Sequence, residues 1–199
     1  MRPWIFLILI IMGVANISNA TPVLNNDKSW KWTDGNSIEH TYWAVEKSIT
    51  WDGAHSDMSL LGHGYYLATI TSQAEQDALS EGLSTFYGEF WLGGIQDIAA
   101  LAPDEGWTWM DTGETFSYTN WKENEPNDYG NGEWHLGTWS NYGWKWNDEH
   151  GQANIKGYII ETGAAYVPNP EPATMVLFGF GLIGLAGLGR RLNKNRTGA

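Results

Sequence analysis

The sequence predicts an α+β domain in which two helices cover a β-sheet and a long acidic loop region lies between strands. Apolar residues recur at helical spacing from Trp51, and the chain from Ser72 has the signature of a helix N-terminus. Further along, apolar and polar residues alternate with the period of two that is typical of strands. With 199 residues, the chain is long enough for one domain with a hydrophobic core.

Residues 1–20 have the features of a secretory signal peptide. A basic residue, Arg2, precedes a hydrophobic stretch at 4–14 and a small-residue cleavage site that ends at Ala20. The hydrophobic stretch is short for a membrane-spanning helix. We therefore expect export and cleavage after Ala20.

Residues 21–37 form a polar N-terminal segment ahead of the predicted domain. Trp30 and Trp32 alternate with lysines, a period-two pattern that indicates a strand. We expect this strand to lie at an edge of the sheet.

Two helices are predicted in the first half of the domain. Ala54, Met58 and Leu61 recur at i, i+4 and i+7, and glycines follow them. Ser72 and Glu75 form a capping-box pattern, which starts the second helix. The buried side of that helix is expected to comprise Ala74, Ala78 and Leu79.

Five segments are predicted to be strands: residues 65–70, 90–94, 106–111, 143–146 and 156–161. The segment 90–94 is apolar and ends in glycines, but the Gly-Lys-Ser/Thr of a phosphate-binding loop does not follow. The segments 106–111 and 143–146 alternate with period two.

Carboxylates and amides are concentrated in the loop region and shortly after it. The candidate metal ligands are Glu125, Asn127, Glu133, Asn147 and Asp148. They offer oxygen atoms only, which suits Ca²⁺ with its shell of about 6–8 oxygens. A cis bond at Pro126 would aim its two neighbours at one point, but the sequence fits either isomer. A solvated acidic loop is the simpler alternative.

Composition excludes one class of partner and one source of stability. The formal net charge of −12 argues against nucleic acid, because phosphate binding requires the opposite sign. The chain has no cysteine, so an exported form lacks disulfides and depends on core packing and on any bound ion.

The acidic motifs resemble the primary calcium site of sugar-binding C-type lectin domains. That site comprises a Glu-Pro-Asn triplet, a Glu six residues after the Asn, and a Trp-Asn-Asp triplet, as at 125–127, Glu133 and 146–148 here. The resemblance covers residues 38–162 and includes the family's Trp-Ile-Gly motif at Trp91 and Gly93. It implies a C-type lectin-like fold, with two helices on a small antiparallel sheet and a long calcium-binding loop region.

The same resemblance implies roles for individual residues. Ca²⁺ would be bound by Glu125, Asn127, Glu133, Asn147 and Asp148, and sugar by the first four of these. Structural roles fall to Pro126, Trp91, Gly93 and Trp146. A Glu-Pro-Asn triplet implies mannose-type sugars: mannose, glucose, N-acetylglucosamine or fucose.

This chain departs from the family pattern at the usual disulfides. Met58 with Ile160 and His135 with Gly151 stand where the family has its two cysteine pairs. We expect apolar packing of Met58 on Ile160 to replace part of the lost stabilisation, about 2–4 kcal/mol for a disulfide. Trp134 stands where some members have an acid of a second calcium site. That site is therefore in doubt here, with Asp128 still a candidate ligand for it.

The C-terminal region resembles a PEP-CTERM sorting signal. After a linker at 163–169, the signal covers 170–196 and begins Pro-Glu-Pro. A transmembrane helix is predicted at about 173–189, followed by basic residues. The resemblance implies an exosortase-type processing enzyme and a Gram-negative envelope, often with exopolysaccharide. A plain C-terminal anchor is the alternative.

Three functions are compatible with these features. The first is calcium-dependent carbohydrate binding at the cell surface or in an exopolysaccharide matrix. The second is a protein-binding or structural lectin-like domain without sugar. The third is a glycan hydrolase that uses Glu125 and Glu133 as acid and base. We predict that the protein is not an enzyme, because both acids are explained as metal ligands and the five histidines lack zinc spacing.

Overall fold

The computed structural model describes residues 21–163. The predicted signal peptide, the sorting signal with its helix at 173–189, and all but the first residue of the linker lie outside the described residues. Within the described part, none of the helices is long and apolar enough to cross a membrane.

The described chain contains two helices and eight strands. The helices are α1 (Trp51–Ser59) and α2 (Gln73–Gly82). The strands are β1 (Ser29–Thr33), β2 (Glu39–Val45), β3 (Tyr66–Leu67), β4 (Glu89–Gln96), β5 (Trp107–Trp109), β6 (His135–Trp139), β7 (Lys145–Glu149) and β8 (Gly157–Thr162). Single turns of 3₁₀ helix occupy Asn26–Lys28 and Ser140–Tyr142.

All eight strands join one sheet in the order β1-β2-β8-β4-β6-β7, with β3 paired to β8 and β5 paired to β4. The α+β class is therefore confirmed. The sheet differs from the small antiparallel sheet we expected, because β4 and β8 run parallel. Strand β1 is an edge strand, as its alternating tryptophans predict, and it extends the sheet to residues ahead of 38.

Local capping explains where both helices begin. The Thr50 hydroxyl accepts a hydrogen bond from the Gly53 N–H at 3.2 Å, and the Ser72 hydroxyl accepts one from the Glu75 N–H at 3.2 Å. The predicted capping box is only half formed. The Glu75 carboxylate turns away from Ser72 and accepts hydrogen bonds from the Tyr42 hydroxyl at 2.6 Å and the Thr71 N–H at 2.8 Å.

These bonds determine which side of α2 faces the core. The helix buries Glu75, Gln76 and Leu79, whereas Ala74 is exposed. The prediction of a buried Ala74 was wrong, since hydrogen-bond partners elsewhere in the fold draw two polar side chains inward.

Strand β7 begins later than its alternating pattern suggests. Gly143 and Trp144 have left-handed backbone conformations, with φ of 65° and 62°. A strand cannot include such residues, so the regular pairing starts at Lys145.

The hydrophobic core has two parts. One part surrounds Phe90, Leu136 and Trp146, and the other surrounds Trp91 and Tyr158. Met58 and Ile160 lie in the second part, 3% and 0% exposed. The expected apolar pair therefore occupies the core at the position of the missing disulfide.

Candidate functional site

Two of the predicted ligands, Asn147 and Asp148, are positioned by strand β7. Trp146, just before them, is fully buried, and its indole N–H donates to the Gln76 side-chain oxygen of α2 at 2.9 Å. On the other side, β7 pairs with β6, which places Asn147 opposite Gly137. The buried Trp146 indole and the regular pairing with β6 thus fix the position of β7 from both sides.

The loop that carries the other ligands folds onto Asp148. Both carboxylate oxygens of Asp148 accept the Asn127 N–H at 3.0 Å. One of these oxygens also accepts the Asp128 N–H at 2.7 Å. Asp148 is 1% exposed. The structure therefore brings the Glu-Pro-Asn triplet and the Trp-Asn-Asp triplet together, as expected for one site.

Within the loop, Glu125 and Asn127 contact each other. The peptide bond between Glu125 and Pro126 is cis, and the Asn127 side-chain amide donates to the Glu125 carboxylate. Glu133 is 8% exposed and accepts the Tyr129 N–H at 2.6 Å.

Sequence reasoning missed one acid of the site, Glu89. Its carboxylate accepts a hydrogen bond from the Asn147 side-chain amide at 3.2 Å. It reaches Asn147 across Gly137, where an added Cβ would lie 2.8 Å from the Glu89 oxygen. The only sequence signal was an acid directly before the apolar run at 90–94.

The electrostatics of the site indicate an excess of negative charge. Burial, together with the nearby acids, raises the pKa of both Glu89 and Glu133 to about 7. Burial and the neighbouring Asp148 also raise the pKa of Glu125. Across residues 21–163, none of these acids forms an ion pair with a basic side chain. A cation at this position would relieve that repulsion.

The loop acids are not gathered into a closed cage, because each is turned toward a partner in the chain. In the described region, a group of three His and Glu side chains does have its possible ligand atoms within 4.8 Å of one another, but it lies elsewhere in the fold. It comprises His40, Glu75 and Glu161, all buried.

That second cluster is a hydrogen-bonded network inside the fold. Glu161 is fully buried and bonds to His40 Nδ1 at 2.6 Å, the Tyr66 hydroxyl at 3.0 Å and the Thr69 N–H at 2.9 Å. The bond to Glu161 raises the pKa of His40, and burial raises the pKa of Glu161 to about 7. The network links β2, β3 and β8, so its role here is to join strands.

The residues predicted to be structural are placed accordingly. Trp91 is fully buried, and its indole N–H donates to the Ile49 carbonyl at 2.9 Å. At Gly93 an added Cβ would lie 2.5 Å from the Leu67 carbonyl oxygen, so only glycine fits. Pro126 provides the cis bond described above, and Trp146 anchors β7.

Asp128, a candidate ligand for a second calcium site, is hydrogen-bonded within the loop. One Asp128 oxygen accepts the N–H groups of Gly132 at 2.6 Å and Glu133 at 3.1 Å, which lower the pKa of Asp128 below its ordinary value. Trp134 carries an indole ring that is 39% exposed. Asp128 therefore stabilises the conformation of the loop through these two hydrogen bonds.

The fold matches that of solved C-type lectins. CEL-I from Cucumaria echinata superposes with a TM-score of 0.54 at 22% identity, covering 66% of this chain and 93% of that one. The carbohydrate-recognition domain of cow CD23 gives 0.52 at 27% identity, covering 63% and 88%. The fold and the paired loop motifs together define a C-type lectin-like domain.

Sequence relatives identify the family. A C-type lectin of the lectoxin type from Thrasops jacksonii is 33% identical over 60% of this chain and 75% of its own length. Lectin BRA-3 of Megabalanus rosa is 28% identical, over 71% and 81%. The chain belongs to the C-type lectin family, in a form without cysteines. Because these relatives are lectins, a non-enzymatic class, the prediction that the protein is not an enzyme is confirmed.

A separate match identifies the C-terminal signal. Residues 170–191 match the PEP-CTERM protein-sorting motif. The match lies within the predicted range 170–196.

Proposed function

We propose that the domain binds carbohydrate through a calcium ion held by Glu125, Asn127, Glu133, Asn147 and Asp148. The observation that carries this proposal is the convergence of the two triplets on Asp148, through the N–H groups of Asn127 and Asp128. The acids gathered there have no basic partner within the described chain.

The donor set fits a hard cation. Three carboxylates and two amide oxygens leave part of a calcium shell open. Bound calcium would supply positive charge and coordination positions for sugar hydroxyls. To bind it, Asp148 and Glu133 would use oxygen lone pairs that the backbone N–H groups leave free, and Asn147 would keep its amide N–H on Glu89 while presenting its oxygen.

The Glu-Pro-Asn triplet, which by the family resemblance implies mannose-type sugars, supports mannose, glucose, N-acetylglucosamine or fucose as the ligand. The Glu125 carboxylate only accepts hydrogen bonds, whereas the Asn127 amide donates through its nitrogen. Glu133 and Asn147 supply a second acceptor and donor. The cow CD23 domain, solved in the presence of a GlcNAc₂Man₃ oligosaccharide, supports this sugar class.

Calcium titration tests the metal. We expect a dissociation constant of about 10⁻⁴–10⁻³ M, typical of extracellular modules, and stabilisation of about 2.7 kcal/mol at a hundredfold excess. Asp148→Asn should abolish the calcium-dependent rise in melting temperature, whereas Glu81→Gln on the exposed side of α2 should keep it. An unchanged melting temperature when EDTA is added to calcium-loaded wild type would count against the site.

Retention on sugar resins tests the ligand. Calcium-dependent retention on a mannose resin, reversed by EDTA, is the expected result. A protein that binds calcium without being retained on mannose, glucose, N-acetylglucosamine or fucose resins would instead be a protein-binding or structural member of the family.

We further propose that the domain is displayed in the outer envelope, at the cell surface or in an exopolysaccharide matrix of a Gram-negative bacterium. The PEP-CTERM motif at 170–191 supports this. The mature protein would begin after Ala20 and end near Pro172, where an exosortase-type enzyme processes the chain. It would comprise the segment 21–37, the domain 38–162 and the linker 163–169. Before processing, the helix at 173–189 would be a transient inner-membrane anchor. Intact-mass measurement in the native host tests both ends, and a mature form that retains Arg190 would refute C-terminal processing.

A further inference from the structure

A buried carboxylate lies behind one of the proposed calcium ligands. Glu89 on β4 and Asn147 on β7 are separated by strand β6, and the Asn147 side-chain amide donates to Glu89 Oε1 at 3.2 Å. Both residues are 9% exposed. We propose that Glu89 is a positioning residue, which fixes the orientation of the Asn147 amide so that its oxygen is presented to the calcium ion. The inference rests on the proposed function.

An asparagine ligand has two orientations that differ in function. The torsion that turns the plane of its amide has broad, roughly two-fold minima, so the oxygen and the nitrogen can exchange places at little cost. The oxygen can bind a cation, whereas the NH₂ group only donates hydrogen bonds and cannot. Without a partner, the Asn147 amide would therefore adopt an orientation that does not bind calcium for part of the time.

The contact with Glu89 selects one of these orientations. An ionised carboxylate only accepts hydrogen bonds, so Glu89 can face the nitrogen of the Asn147 amide but not its oxygen. The oxygen is thereby turned away from Glu89, and the second amide hydrogen is left for a sugar hydroxyl. Hydrogen bonds to an ionised group are roughly twice as strong as neutral ones. The selection is therefore made before calcium binds.

The two amides of the proposed ligand set differ in their partners. The Asn127 amide donates to Glu125, which is itself a proposed calcium ligand. Glu89 is outside the ligand set, so its carboxylate stays with Asn147 when calcium binds. The three carboxylate ligands need no such partner, because the two oxygens of a carboxylate are equivalent.

A glycine on the strand between them makes the contact possible. Gly137 of β6 pairs with Asn147. A Cβ added to Gly137 would lie 2.8 Å from Glu89 Oε1, 3.3 Å from Cγ and 3.4 Å from Cδ. These atoms belong to a flexible side chain, so an added methyl group would displace the Glu89 carboxylate rather than the sheet. Gly137→Ala is therefore a second way to break the contact.

NMR of the metal-free domain measures the orientation directly. At pH 8, above the pKa of about 7 of Glu89, the Asn147 side-chain amide should be protected from exchange with water. Since a hydrogen bond to a charged group contributes about 1.5–3 kcal/mol, Glu89→Ala should reduce this protection at least about tenfold. Gly137→Ala should reduce it in the same direction while the carboxylate is still present. Asn147→Asp assigns the signal by removing it.

Calcium titration at pH 8, followed by the rise in melting temperature, measures the consequence. Glu89→Ala should weaken calcium binding at least about tenfold, as is usual when a group that orients a metal ligand is lost. Glu89→Gln should retain most of the affinity, because its side-chain oxygen can still accept the Asn147 N–H. Glu149→Gln is the control for lost charge. Its carboxylate accepts the His150 N–H, and its loss should weaken binding less than about threefold because salt screens a partly exposed charge.

Double-mutant cycles separate orientation from charge. Asn147→Asp keeps an oxygen ligand but has no amide to orient, so Glu89→Ala should no longer weaken calcium binding in that background. A loss equal to that in wild type would show that Glu89 acts by its charge and would refute the positioning role. Gly137→Ala should weaken calcium binding in wild type and have no further effect in the Glu89→Ala background.

Failure of the positioning role differs from failure of the proposed function. If Glu89→Ala binds calcium as tightly as wild type, or if the Asn147 amide stays protected in that variant, the positioning role is refuted while calcium-dependent sugar binding stands. If wild type binds no calcium, the proposed function is refuted and the positioning role with it.

Discussion

The imidazole ring of His135 lies directly against the α-carbon of Gly151. A Cβ added to Gly151 would overlap His135 Nδ1 and Cε1 and would lie 3.0 Å from Cγ. These two residues stand where the family resemblance places a disulfide. Close packing of a ring on a glycine has taken the place of a covalent bond.

This contact predicts that Gly151→Ala destabilises the domain by about 1–3 kcal/mol, the usual cost of overpacking. Gly35→Ala is the matched control, since nothing lies within 4 Å of the added methyl group there. Urea unfolding of both variants provides the measurement. In a His135→Ala background the Gly151→Ala penalty should shrink, and an undiminished penalty would show that the ring is not the cause.

Reversal of one donor–acceptor pair tests sugar specificity. Glu125→Gln combined with Asn127→Asp keeps size and net charge, and it allows the contact between the two side chains with its donor and acceptor exchanged. Since hydrogen bonds to charged groups contribute about 1.5–3 kcal/mol, mannose affinity should fall at least about tenfold while calcium binding persists. Competition by free mannose and galactose on wild type and double variant gives the readout. Equal inhibition of wild type by both sugars would refute the assignment.

The metal-free domain should lose stability as the pH rises from about 4.5 to 7. Glu89 and Glu133 have their pKa raised by burial from the ordinary 4.5 to about 7. In that window the folded state binds more protons than the unfolded state, so the free energy of unfolding decreases with rising pH. Calcium binds the deprotonated carboxylates and should therefore stabilise more strongly at pH 8 than at pH 5.

Melting curves in EDTA and in calcium, at pH 5 and at pH 8, check the direction in which stability changes with pH. Glu89→Gln and Glu133→Gln should each reduce the pH dependence of the melting temperature of the metal-free domain. A metal-free domain that is more stable at pH 8 than at pH 5 would contradict the expected cost of burying these carboxylates in their charged form.

Gln76 should stabilise the strand that carries two calcium ligands. Its side chain accepts the Trp146 indole N–H at 2.9 Å and donates to the Trp144 carbonyl at 3.1 Å. Gln76→Leu would leave the buried Trp146 indole N–H without a partner, at a cost of about 1–3 kcal/mol, while the Trp144 carbonyl would keep its bond from the Thr138 hydroxyl at 2.7 Å. Gln73→Leu, on the same helix but outside its buried set, is the control. Equal unfolding midpoints for the two variants would refute this role.

Features encoded by neighbouring residues could be predicted from the sequence. The start of α2 follows from Ser72, and the strand at Trp107–Trp109 follows from period-two alternation. Four of the five candidate ligands fall in two short motifs, the triplets at 125–127 and 146–148, and the fifth, Glu133, lies six residues after Asn127. Asp148 then joins those motifs in space.

Features that depend on distant partners could not be predicted. Glu75 turns inward because Tyr42 is there to donate to it, and Glu89 enters the site because Gly137 leaves room for it to reach Asn147. The parallel pairing of β4 with β8 is likewise decided by the whole sheet. Local patterns give the type of an element, whereas the burial of single acids depends on the assembled fold.

Strand β8 comes last in the described domain but lies inside the sheet, where β2, β3 and β4 all pair with it. Thr41 pairs with Thr162, so the first half of the domain has no central partner until synthesis of the domain is almost finished. Contacts so far apart in sequence make folding slow. The complete sheet therefore cannot form before residues 157–162 have been made, and β2, β3 and β4 stay without their shared central partner until then.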